Sequence, residues 1–157
     1  MKRTFIAIGI ASLLAAPVYA GEPSKEVMES RAAIKQLGGT LKGELQAAMK
    51  KGGPTEAIKV CNTVAPAIAA DISEKNGFDV ARTSLKPRNA GNAPDAWETK
   101  VLQSFEDRKA AGENPGKMEF SEVVDMNGKK TFRYMKAIPT GKVCLNCHGT
   151  EIKPGVI

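Results

Sequence analysis

The chain has 157 residues, 42% of them apolar and 25% charged, with 23 Lys and Arg against 17 Asp and Glu for a net charge of +6. That length suits one domain with a modest core and requires no second domain. The basic residues are spread without aromatic interleaving, which argues against nucleic acid as a partner and favours acidic partners only mildly.

Residues 1–20 have the three parts of a secretory signal: Lys2 and Arg3, an apolar run over 5–16, then Val18 and Ala20 before a cut. The mature chain is expected to start at Gly21, which offers no thiol for lipid attachment, and to occupy 21–157 as one domain. The signal takes two basic and no acidic residues, leaving a mature charge of +4. The apolar run is short for a span, and no later stretch reaches the roughly 18 apolar residues a spanning helix needs, so no stable membrane insertion is expected. Export would deliver the protein to the periplasm.

Over residues 24–51, Val27, Ile34, Leu37, Leu41, Leu45 and Ala48 recur at helical spacing, with Gly38 and Gly39 weakening the middle. Gly52, Gly53 and Pro54 break the chain and open a second helix. There Ala57, Cys61, Val64, Ile68 and Ile72 share a face, and Pro66 predicts a kink one turn beyond Cys61. Residues 77–92 read as a loop or short strand with a basic, proline-containing segment. A third helix starts near Pro94, carries Asp95 and Glu98 in its first turn, repeats Trp97, Val101 and Phe105, and stops at Gly112. Residues 118–126 and 130–138 flank Asn127 and Gly128, a pair suited to a tight hairpin turn. Helices first and an antiparallel hairpin later define an α+β pattern.

Residues 144–148 read Cys-Leu-Asn-Cys-His, the attachment pattern of a c-type haem. Two thiols one short turn apart reach the two vinyl groups on one porphyrin edge, and the next residue sets its imidazole under the iron. Cys144 and Cys147 are therefore the expected thioether anchors of one covalent haem c, with His148 axial, loaded by haem attachment machinery outside the cytoplasm. Three competing readings are a Cys144–Cys147 disulfide, a zinc site of Cys61, Cys144, Cys147 and His148, and a thioredoxin-like redox pair. The first leaves His148 unexplained, the second sets adjacent residues on one ion, and the third lacks its βαβ setting.

His148 is the single histidine, so the other iron face falls to Cys61, to Met28, Met49, Met118, Met126 or Met135, to a lysine, or stays open. Arg82, Lys86, Arg88, Arg133 and Lys136 are candidates to pair with the haem propionates, a solvated basic surface being the equal alternative for each.

The segments 61–69 (CNTVAPAIA), 82–89 (RTSLKPRN) with 94–98 (PDAWE), and 132–139 (FRYMKAIP) leading into 144–149 resemble the single-haem c-type family known as domain of unknown function 3365. The resemblance runs over nearly all of the mature chain. It implies a PAS-like fold, with N-terminal helices packed on an antiparallel sheet, and iron held by His148 and by Cys61 of an early helix. It also implies a further segment and a closing strand after the haem motif, where this sequence has nine residues. Two functions follow as expectations. One is a redox or small-ligand sensing module read by a signalling partner; the other is a periplasmic electron carrier with a redox partner. Enzymatic catalysis is not expected, because a peroxidase or hydrolase arrangement needs a histidine beyond the one committed to iron.

Overall fold

The computed structural model describes residues 22–152 and 156, so the export segment read at residues 1–20 lies outside the described residues. Helix α1 spans Lys25–Lys59 and is capped by Ser24, whose hydroxyl accepts from the Val27 N–H at 3.4 Å. Its path breaks at Gly52 and Gly53, where Gly53 has φ +67°, a region that glycine enters without a Cβ penalty. Ala33 and Leu37 pack with Ile72, Ile68 and Ala69. Ala48 packs with Ala57 and Val60, joined by Leu41, Leu45 and Val64. Contacting residues thus draw closer in sequence as the break is approached, so the two arms form an antiparallel helical hairpin that turns at the glycine pair.

The second arm passes through a π-helical turn, Val60–Val64, and continues as α2, Ala65–Asn76. Pro66 has no N–H to give, and its ring crowds the carbonyl one turn earlier. The Ala65 N–H donates to the Val60 carbonyl, closing the wider π ring. The kink expected from Pro66 is thus absorbed as one widened turn, and Cys61 sits inside it. Gly77, at φ +72°, ends α2.

Helix α3, Ala96–Ala110, opens with a reciprocal capping box. Asp95 accepts from the Glu98 N–H at 2.7 Å, and the Glu98 carboxylate accepts from the Asp95 N–H at 3.0 Å. Strands β1 (Glu119–Met126) and β2 (Lys129–Lys136) pair antiparallel, and Asn127 (φ +56°) and Gly128 (φ +82°) form the two-residue turn. Side chains of a strand alternate between faces. One face meets α3, where Met118, Val101 and Phe105 are buried with Met135 and Trp97 around them. The other reaches α1 through Arg31 and Glu119. The architecture is α+β, with the long N-terminal helix packed on a two-stranded antiparallel sheet among the described residues. None of the described helices is long and apolar enough to cross a membrane.

Candidate cofactor site

The Cys-x-x-Cys-His segment folds as a single helical turn, α4, Leu145–His148. The Cys144 N–H donates to the Gly141 carbonyl at 2.9 Å, and the Cys144 carbonyl accepts from the N–H groups of Cys147 at 3.1 Å and His148 at 2.8 Å. Asn146 closes the turn from its side chain, donating to the Val143 carbonyl at 3.0 Å. Gly149 then leaves in an extended conformation. A Cβ at that position would lie 2.5 Å from the Leu145 carbonyl oxygen, so only glycine lets the chain exit so close to the turn. Gly149 belongs to the site for this reason. The sequence signal was its place directly after the motif, and its role needed the backbone path.

Cys61 is half-buried on the π-helical turn, and its thiol feels the charges of residues far away in the chain. Burial pushes it above the usual thiol range; Arg82 opposes that, Cys147 and Cys144 add to it, and Arg88 opposes it again. His148 is held below the ordinary histidine value by desolvation of its protein-facing side and then by Arg88 and Arg82. Residues from the second helical arm, the loop after α2 and α4 are therefore gathered in one region. All three cysteines are free and half-buried. Among the described residues, no three His, Cys, Asp or Glu side chains converge as a site for a bare metal ion, so the four-ligand zinc arrangement is not formed.

The methionines lie elsewhere. Met118 is fully buried and Met135 packs beside it in the α3 core, Met49 packs in the helical hairpin, and Met28 and Met126 are exposed. Two of the basic candidates also have other engagements. Arg133 bonds Asp95 at 2.6 Å, lies 3.3 Å from Glu98 and stacks its guanidinium 4.3 Å over the Trp97 ring. Lys136 lies 3.8 Å from Glu119. Asp95 and Glu98 thus do more than start the helix, because they also hold β2 against α3 through Arg133.

The donor set fits a covalently held haem: two free thiols on one turn, an imidazole adjoining the second, and a third thiol on another element within reach of their charges. The sequence matches the Tll0287-like family over residues 16–156, and the chain belongs to that family. No curated protein and no solved structure matches it.

Proposed function

We propose that this chain is an exported, periplasmic single-haem c-type protein of PAS-like fold, anchored through Cys144 and Cys147, with His148 and Cys61 as axial ligands, and that it serves as a redox or small-ligand sensing module. The observation that carries the reading is that Cys61, on its π-helical turn, lies near enough to Cys144 and Cys147 for their charges to act on its thiol, across more than 80 residues of chain. Membership of the Tll0287-like family, a c-type cytochrome-like family, supports the same reading. When bound, the haem supplies a one-electron couple and an exchangeable axial position.

The residues around it define what the protein adds. Burial disfavours a bare Cys61 thiolate, so the side chain has two preferred states: bound to a cation, or protonated and released. The turn that carries it has slack. Ala65 donates past Cys61 to Val60, and Pro66 has no donor, so neither neighbour ties the Cys61 carbonyl to a regular α-helical register. A cysteine on such a turn is suited to release and rebinding, and the hairpin arm offers a partner a movement to read.

The test is the low-temperature EPR spectrum of ferric protein matured in a periplasm, with the intact mass measured alongside. A mass showing one haem and cleavage after Ala20, with a low-spin thiolate signal lost in Cys61→Ala, is the expected result. Identical spectra in both proteins would refute Cys61 ligation and return the protein to the second reading, a periplasmic electron carrier. The exposed apolar side chain of Leu145, inside the motif itself, favours that second reading as part of a docking rim for a redox partner.

A further inference from the structure

Between the first turns of α1 and the start of the sheet lies a cleft of about 590 Å3, lined by Arg31, Ile34 and Lys35 of α1, by the short helical turn Pro115–Lys117, and by Glu119 and Lys136 of the paired strands. That volume falls within the range of small-molecule sites, roughly 300–1,000 Å3. The cleft is distinct from the attachment region. About three turns of α1 separate Ile34 from Leu45, which shares an apolar cluster with Val60 and Val64, the residues that bracket Cys61.

Four cations and one carboxylate face the cleft, so its walls carry a net charge of +3. The carboxylate is already engaged. Glu119 accepts from Arg31 and from the Tyr134 hydroxyl, and the Arg31 bonds hold its carboxyl at about 2, so it stays ionised and balances Arg31. Lys136 stands opposite Glu119 in the strand register and lies 3.8 Å from it. Lys35 and Lys117 make no ion pair among the described residues. Like charges around one cleft repel each other, and an anion set between them removes that cost.

The walls are held by ordered structure on both sides. The ion pair of Arg31 with Glu119 fastens α1 to β1. On the sheet side, the Lys117 N–H donates to the Asn114 carbonyl at 2.9 Å, and the next residue, Met118, is fully buried. Half-buried Ile34 gives the cleft an apolar side. Cations set around an apolar side chain suit an organic anion, whose carboxylates meet the ammonium groups while its carbon chain covers the hydrocarbon. A hydrated inorganic anion gains nothing from Ile34. Lysine is a compact charge on a flexible stem, so three lysines can follow separated carboxylates without the fixed fork of arginine.

We propose that this cleft is a binding site for a small organic polycarboxylate, with Lys35 on α1 and Lys117 and Lys136 beside the sheet each meeting a carboxylate. A tricarboxylate matches the net charge of the walls. The site makes no use of the haem, so its failure would leave the haem reading untouched.

The experiment is isothermal titration of the mature protein, purified from a periplasm, with citrate at fixed ionic strength and with sulfate as the inorganic comparison. Saturable one-to-one binding of citrate is expected, tighter than that of sulfate. Lys35→Gln and Lys117→Gln should each weaken it about tenfold, the scale of one partly exposed charge-assisted bond. Lys50→Gln removes the same charge from the far end of α1 and should leave the affinity unchanged. No saturable citrate binding would overturn the site outright. Equal weakening by Lys50→Gln would overturn it by showing a response to net charge alone, and sulfate binding as tightly as citrate would overturn the assignment to a polycarboxylate.

Discussion

Glu119 shows how much one side chain holds in this protein. It accepts from Arg31 of α1 at 3.1 Å and from the Tyr134 hydroxyl on the facing strand, and Lys136 lies 3.8 Å away. The Arg31 bonds, foremost, hold its carboxyl at about 2 against burial, which acts the other way. Because the folded-state pKa lies below the unfolded one, this stabilisation is complete above about 4.5 and is lost as pH falls toward 2. Glu119→Gln should therefore cost about 1 kcal/mol at neutral pH, after discounting for solvent screening, and flatten the acid branch of a pH-dependent urea titration in that window. On the proposed ligation, Cys61 acts in the same local way. A thiolate that binds ferric iron a thousandfold more tightly than ferrous iron lowers the potential by roughly 180 mV. On the proposed ligation, Cys61→Ala should raise the potential by that order in a spectroelectrochemical titration.

At the scale of elements, two short stretches decide whether the site can form. The α4 turn depends on Gly149, and a methyl group there forces the Leu145 carbonyl and the departing backbone apart. Gly149→Ala should reduce the yield of haem-loaded protein, measured by the haem-to-protein ratio after periplasmic maturation, with little change in far-UV circular dichroism. The π-helical turn is the second stretch. Its sequence cause, Pro66, was legible, and a kink was the natural expectation. Whether the helix bends or widens depends on where the freed backbone groups find partners, and the Ala65 to Val60 bond settles that in favour of widening. The hairpin and the capping box were legible for the opposite reason, since Asn127-Gly128 and Asp95 with Glu98 act within a few residues and need nothing distant.

Taken whole, the described molecule has three small apolar clusters, two along the helical hairpin and one between α3 and the sheet. The ion pair of Arg31 with Glu119 ties the helical hairpin to the sheet. A haem bonded at Cys144 and Cys147 and ligated by Cys61 would cross-link the helical arm to the far end of the chain. Closing so long a loop is expected to stabilise the ferric protein by about 2–4 kcal/mol relative to haem-loaded Cys61→Ala, read as a shift of the urea midpoint. By itself the sequence determined the element order, the glycine break, the hairpin turn and the haem-attachment pattern, because each is written in neighbouring residues through periodicity, caps and backbone allowance. The resemblance named Cys61, but only the tertiary structure set it on a π-helical turn within reach of the charges of Cys144 and Cys147, and only the tertiary structure paired Arg133 with Asp95 and Lys136 with Glu119. Those choices depend on which charges and thiols meet across long stretches of chain, and a one-dimensional pattern carries no record of which carboxylate a given arginine has already found.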